Sequence, residues 1–197
     1  MDSITKTDIY SINVHSPMAI CDFSNYIYNT LIEFRLYDWE KLLILCIGSD
    51  RSTGDSLGPL VGYKLKPLLS KYEKIDVLGT LEEPVHAKNL NQVIDKINKD
   101  YSNPLILAID ASLGQFHKIG FVNLKKGPIK PGLGVNKNLP HIGDISITGV
   151  VNVGGMMEYV VLQNTRLSIV MKMADVISKS IFLSIIKYEK VNLDTVQ

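Results

Sequence analysis

The chain has few cysteines and almost no net charge. Its 197 residues include only Cys21 and Cys46, which form no disulfide framework and no metal-binding spacing, so we expect a reducing compartment, the cytoplasm. The 21 basic and 20 acidic residues leave a formal net charge of +1. A surface so balanced does not attract nucleic acid or an anionic membrane strongly, and we expect neither as a partner.

Long apolar runs are also missing. No stretch approaches the ~20 apolar residues that cross a bilayer, and residues 1–6 are polar and lack a signal-peptide core. The hydrophobic share of 46% and the charged share of 21% are those of an ordinary globular protein. We therefore predict a single α/β domain over residues 1–197. It consists of an N-terminal extension with one amphipathic helix (1–40) and a core (42–188).

Motifs for nucleotide binding and for serine nucleophiles are absent. Gly48, Gly54 and Gly58 do not fit the G-x-G-x-x-G pattern, and no glycine–lysine pair forms a phosphate loop. No G-x-S-x-G elbow surrounds Ser52 or Ser56, whose hydroxyls are explained by turns and capping.

The most informative stretch that is present joins a buried strand to a glycine-rich loop. Residues 42–47 are an unbroken apolar run, which is typical of a parallel strand buried on both faces. The polar loop 48–59 follows, with Asp55 in it and Pro59 near the start of a predicted helix. Asp55 has two interpretations. It is either the N-cap of that helix or a site acid at the carboxyl end of the strand, where α/β sheets bind ligands.

A second apolar run, residues 105–109, ends in another acid, Asp110. Two acids at the ends of two buried strands can face each other across one edge of the sheet. Their mutual repulsion and partial burial would then push their pKa values apart. Such a pair can divide base and acid work between its members, or it can bind a hard metal ion.

The order of the elements predicts a three-layer sandwich around a mostly parallel sheet. This follows from a βαβαβ pattern, with strands at 42–47, 75–78 and 105–110 and helices at 60–70 and 89–98. We expect a helix from Pro17 on one face of the sheet and the amphipathic helix 167–188 on the opposite face.

The remaining segments do not follow this alternation of strands and helices. A strand at 119–124 with antiparallel or edge pairing is expected, then a long Gly/Pro loop at 126–141, a strand at 144–151 and a helical run at 156–163. Residues 1–16 show no clear period.

Four motifs resemble those of a known family. They are C-I-G-S-D-R-S-T-G-D at 46–55, G-T-L-E-E-P-V-H at 79–86, K-P-G-L-G-V at 130–135 and G-D-I-S-I-T-G at 143–149. Through them, residues 42–174 resemble the YyaC-type sporulation proteins, which are related to the germination protease of spore-forming bacteria. The loop around Asp55 and the acid Asp110 are also similar to those of the hydrogenase maturation endopeptidases. The resemblance implies a phosphorylase/hydrogenase-maturation-protease-like fold and a compartment of a sporulating cell.

The resemblance also implies roles for individual residues. Asp55 and Asp110 match the two acids that the germination proteases require, and in the hydrogenase maturation endopeptidases these two positions and a histidine bind a metal ion. His86, beyond the second strand, and His141, in the long loop, are the candidates for the third residue. His86 is preferred because its strand ends at the same edge as the acids. Two alternatives stay open: an aspartate pair without metal, or one divalent metal ion at Asp55, Asp110 and His86.

Two neighbouring charges in the central loop complete the candidates. Asp50 and Arg51 are interpreted as an ion pair that stiffens the loop, and a clamp on a substrate carboxylate is the alternative role of Arg51.

Two functions from different classes fit these observations. The first is a peptidase that uses the aspartate pair on a spore protein, so that its partner is a protein or peptide substrate. The second is a non-catalytic binding or structural protein of sporulation that keeps the protease fold and recognises a partner through its long loop. A homo-oligomer is compatible with either function.

Overall fold

The computed structural model describes residues 9–131 and 139–194, with a six-stranded mixed sheet at the centre. The strand order is β1-β5-β6-β4-β2-β3, and β2, β3, β4 and β6 are parallel. β5 is antiparallel to both β1 and β6, which confirms the antiparallel alternative. The strands are β1 Ile9–Asn13, β2 Lys41–Cys46, β3 Ile75–Leu78, β4 Pro104–Gly114, β5 Phe121–Lys126 and β6 Ile145–Val153.

Helices cover both faces of this sheet and give the predicted three layers. α1, α2 and α5 lie on one face and α3 lies on the other, while the short α4 borders the carboxyl end of the sheet. None of the helices within the described ranges is long and apolar enough to cross a membrane. The helices are α1 Ala19–Phe34, α2 Leu57–Leu69, α3 Leu90–Asp100, α4 Glu158–Gln163 and α5 Leu167–Asp194.

The apolar run of β2 forms the middle of the protein because its alternate side chains enter two separate cores. Leu42, Ile44 and Cys46 pack with α1, α2 and α5. Leu43 and Leu45 pack with α3 on the other side. A strand covered on both faces needs apolar residues at every position, which explains the unbroken run.

The structure differs from the sequence prediction in the side that α5 occupies. We expected this helix opposite the N-terminal helix, but α5 packs directly against α1 and α2 on the same face. The apolar stripe of a helix shows which of its own faces is buried, whereas the side of the sheet depends on the connections. Three long helices fill one face, and α3 covers the other together with Ile129, Leu139 and Ile142.

The N-terminal segment also contains a strand that the pattern did not predict. Residues 9–13, within the segment that shows no period, form β1 and pair antiparallel with β5 at one edge of the sheet. An edge strand packs fewer of its side chains than a central one, so its sequence alternates weakly. Residues 1–8 of that segment and residues 132–138 of the predicted Gly/Pro loop lie outside the described residues.

Candidate active site

The loop after β2 is compact because two glycines let the backbone approach itself closely. Gly48 has a φ of +143°, and a Cβ added there would lie 2.0 Å from the carbonyl oxygen of Asp55. A Cβ on Gly58 would lie 2.0 Å from the carbonyl oxygen of Ile47. The Ser49 N–H donates to the Asp55 carbonyl oxygen at 3.0 Å. These contacts fold the loop back so that Asp55 stands at the carboxyl end of β2.

Asp55 does not cap α2. It lies within a short 3₁₀ turn, Gly54–Ser56, and the residue at the N-cap position of α2 is Ser56. The Ser56 hydroxyl donates to the Thr53 carbonyl oxygen at 2.7 Å. The capping interpretation of Asp55 is therefore wrong.

The carboxyl group of Asp55 is largely withdrawn from solvent. Burial raises the pKa of Asp55 above its ordinary value, because a charged carboxylate loses hydration there. A hydrogen bond from the Ser49 backbone and the charge of His86 oppose this effect, and both lower the pKa. Asp55 therefore keeps its proton to a higher pH than a solvated aspartate does.

Asp110 lies inside β4 and not at its end, contrary to our prediction. The pairing of β2 with β4 stops at Cys46 and Ile109, but β4 continues to Gly114 beside β6. Asp110 is thus the first residue of β4 beyond the end of β2. Its side chain is buried, and its Oδ1 accepts a hydrogen bond from the Ala111 N–H at 2.8 Å.

β2 and β4 flank the point where the chain reverses its direction across the sheet. From β2 the chain crosses through α2 to β3 on one side, and it then returns through α3, on the other face, to β4. Such a reversal leaves a crevice at the carboxyl ends of the two strands, which is where open α/β sheets bind ligands.

A cleft of about 220 Å³ occupies this crevice. Asp55, Asp110 and His86 all line it, and we call it the acid cleft. Further lining residues come from the loop after β2 and from α4, among them Arg51, Ser52 and Tyr159.

His86 reaches the cleft because the chain returns to the line of β3 after a short excursion. Val85 forms a parallel bridge with Ile47, which places His86 at the carboxyl end of that line. The turn is held by Asn89, whose Oδ1 accepts from the His86 N–H at 2.8 Å and whose amide donates to the Pro84 carbonyl oxygen at 3.0 Å. The Nδ1 atom of His86 is buried and has no hydrogen-bond partner among the described residues. A buried polar atom without a partner costs about 1–3 kcal/mol, so a ligand that bonds it is favoured.

His141, the other candidate, is exposed and does not line the acid cleft. It lies near Asp144, whose carboxylate accepts a hydrogen bond from the Ile106 N–H at 2.8 Å. Ile106 precedes Asp110 by four residues along β4, or about 13 Å at ~3.3 Å per residue. His141 therefore belongs to the opposite end of the strand.

Several lining residues were not predicted as part of a site or were given another role, and Ser52, Tyr159 and Leu162 are among them. The Oγ atom of Ser52 is buried without a hydrogen-bond partner among the described residues. Tyr159 and Leu162 of α4 close one side of the cleft. No local pattern signals them, because α4 reaches the loop only through tertiary packing, with Leu162 against Gly54.

Arg51 lines the acid cleft but does not form the expected ion pair with Asp50. The ion pairs found within the described ranges do not include either residue. The Arg51 N–H donates instead to the Ser49 hydroxyl at 3.3 Å, and the Arg51 side chain is exposed at the cleft.

The donor set does not fit a metal ion held by three side chains. Throughout residues 9–131 and 139–191, no three histidine, cysteine, aspartate or glutamate side chains lie close enough together to hold one. Asp55, Asp110 and His86 therefore share a cleft without forming a three-ligand site, and we assign no step to a metal ion.

Comparison with known proteins gives three findings. A family model described as "Protein of unknown function (DUF1256)" matches residues 11–180. The "Uncharacterized protein YyaC" of Bacillus subtilis (strain 168) is 51% identical over 145 residues, which are 74% of this chain and 70% of that protein. The [NiFe] hydrogenase maturation protease HycI from Thermococcus kodakarensis KOD1 has a similar structure. Its TM-score is 0.44 at 14% identity, over 77% of this chain and 98% of that one.

Proposed function

Because this chain belongs to the DUF1256 family and carries two acids in one cleft, we propose that it is an aspartate-dependent peptidase of the germination-protease type. The observation that carries the proposal is the meeting of Asp55 and Asp110, 55 residues apart in sequence, at the crevice between β2 and β4. The proposed substrate is a spore protein and the proposed setting is a sporulating cell, as the resemblance to the YyaC-type proteins implies.

The two acids divide the chemistry according to their surroundings. In this proposal Asp55, whose pKa is raised by burial, is the acid that donates a proton to the peptide carbonyl oxygen or the leaving amine. Asp110 accepts a proton from the attacking water, whose oxygen forms the new bond to the carbonyl carbon. Arg51 stands at the same cleft, where it can bind a carboxylate of the substrate.

The test is cleavage of acid-extracted spore proteins by the purified chain, with a germination protease as the positive control. Asp55→Asn and Asp110→Asn should each lower the cleavage rate by about 10²–10⁴-fold, the usual contribution of a general acid or base. Circular dichroism should show an unchanged fold. Cleavage at the wild-type rate by either folded variant would contradict the mechanism.

A second function is favoured by two polar atoms of residues that line the acid cleft, His86 Nδ1 and Ser52 Oγ, which have no hydrogen-bond partner in the part of the chain that the structure describes. They are ready to bond a ligand whether or not it is hydrolysed, which suits a non-catalytic binding protein of sporulation with a protease-like fold. Absence of cleavage of every spore protein, together with binding of one of them that His86→Ala weakens, would favour this function over the peptidase.

A further inference from the structure

β3 leaves one side of its backbone unpaired. It is the last strand of the described sheet, and within residues 9–131 and 139–194 it pairs only with β2. The Leu42 N–H donates to the Lys74 carbonyl oxygen at 2.9 Å, and backbone groups alternate along a strand, so those of Asp76 and Leu78 face β2. The N–H and C=O of Val77 therefore point away from the sheet, and they have no backbone partner among the described residues.

A groove of about 470 Å³ runs along this open side. Val77 and Thr80 form its floor, and Val93, Ile97 and Tyr101, at and beyond α3, form one wall. Lys66 and Glu83, which lie 3.8 Å apart as an ion pair, stand at the other wall. We call this cavity the edge groove. Its volume falls within the ~300–1,000 Å³ that ligand pockets usually have.

The edge groove and the acid cleft meet at His86, which lines both cavities. His86 follows Val85, the residue that continues the line of β3 beside Ile47. A chain that pairs with β3 and continues in the same direction therefore passes beside His86, which also lines the cleft of Asp55 and Asp110.

We propose that the edge groove binds the substrate as an extended peptide, which adds a strand to β3 and delivers the bond to be cleaved to the acid cleft. In this mode main-chain hydrogen bonds give affinity, and pockets for alternate side chains give specificity. Val77 supplies the main-chain donor and acceptor. Val93, Ile97 and Tyr101 supply an apolar pocket for one side chain. This inference rests on the proposed peptidase function only for the fate of the bound peptide.

A single extended chain fits the groove better than a second copy of this protein. β3 has four residues and lies between α3 and the wall that contains Lys66 and Glu83. A second copy would have to bring α3 and its own Lys66–Glu83 wall to within the strand spacing of about 4.8 Å, together with its β3. A peptide has no such walls.

The experiment measures binding separately from cleavage. Immobilised Asp55→Asn protein is incubated with a synthetic library of random decapeptides, and enriched peptides are resynthesised with a fluorescent label. Their dissociation constants are then measured by anisotropy for Asp55→Asn alone and combined with Val77→Pro or Val77→Ala. Proline removes the outward N–H and is tolerated at a sheet edge, while alanine loses the same packing but keeps the N–H. We expect Val77→Pro to weaken binding at least tenfold and Val77→Ala less than threefold.

Hydrogen exchange provides the second measurement, which does not depend on the proline variant folding. The amide of Val77 in the Asp55→Asn protein should exchange at least tenfold more slowly when an enriched peptide is bound. Failure to enrich any peptide, equal affinities of the proline and alanine variants, or unchanged exchange at Val77 would each overturn the inference. So would protection of Val77 that depends on protein concentration without peptide, because it would assign the edge to a second copy. Peptides that bind as expected but are never cleaved by the wild-type protein would leave this inference standing and overturn the peptidase instead.

Discussion

The charge of His86 lowers the pKa of Asp55, against the larger effect of burial, which raises it. Both residues line the acid cleft, although they follow different strands and are 31 positions apart in sequence. This relationship makes the protonation of Asp55 depend on a histidine whose Nδ1 atom is itself buried and unpartnered among the described residues.

Replacing this histidine should therefore move the titration of Asp55. In His86→Gln the opposing charge is lost, and the pKa of the Asp55 carboxyl should rise further above its ordinary value. Carbon-13 NMR of the aspartate carboxyl groups, with Asp55→Asn to assign the signal, measures this shift. His141→Gln is the matched control, because His141 is exposed and outside the acid cleft. An unchanged or lower pKa in His86→Gln would contradict the coupling.

The raised pKa of Asp55 also predicts how stability depends on pH. The folded state holds the Asp55 proton more tightly than the unfolded state, whose pKa is near the ordinary value of 3.8. The stability that the protonated Asp55 carboxyl gives the folded state is therefore fully present below pH 3.8. It is lost as the pH rises through the folded-state pKa of Asp55. Asp55→Asn should make the protein more stable than wild type at neutral pH, and this gain should disappear below pH 3.8.

Urea unfolding at a series of pH values measures this difference. Asp50→Asn, which changes an exposed acid in the same loop, should alter the free energy of unfolding by less than about 0.5 kcal/mol throughout. A gain for Asp55→Asn that is largest at low pH would have the wrong sign for a carboxyl group destabilised by burial.

The loop that carries Asp55 should tolerate no side chain at Gly48. Gly48→Ala combines a positive φ with a Cβ 2.0 Å from the Asp55 carbonyl oxygen, so the backbone must shift. We expect the free energy of unfolding to fall by more than about 3 kcal/mol, or the protein to fail to fold. Gly127→Ala shares the positive φ, at +108°, but its Cβ would meet nothing within 4 Å, and it should cost only about 1–2 kcal/mol. Equal costs for the two variants in urea unfolding would contradict the tight turn.

Removal of metal ions should leave the proposed peptidase activity unchanged. Within the described ranges no three side chains converge on a metal position, so the aspartate pair should act without one. Cleavage of spore proteins should proceed at the same rate after dialysis against EDTA, and elemental analysis of protein purified without chelator should find less than 0.1 metal ion per chain. Loss of activity with EDTA and its recovery with one divalent ion would contradict this prediction and support the metal-dependent alternative.

The two acids and the strands and loop that position them could be predicted from the sequence, because the features that determine them are local. Burial on both faces demands the unbroken apolar run of β2, and the close backbone contacts demand Gly48 and Gly58. The alternation of strands and helices indicates the parallel sheet and its crossovers. These features alone predict the fold class and the presence of Asp55 and Asp110 near one end of the sheet.

Tertiary structure decided what no local pattern encodes. The choice of His86 over His141 depends on which end of β4 each loop reaches. The residues of α4 that line the cleft are placed there by contacts between distant segments. The side occupied by α5 and the pairing of β1 with β5 depend likewise on how separate apolar surfaces fit together. The periodicity of apolar residues indicates which face of a helix or strand is buried. The element that packs against this face is decided by the packing of the whole chain, because the burial of apolar surface has no preferred direction.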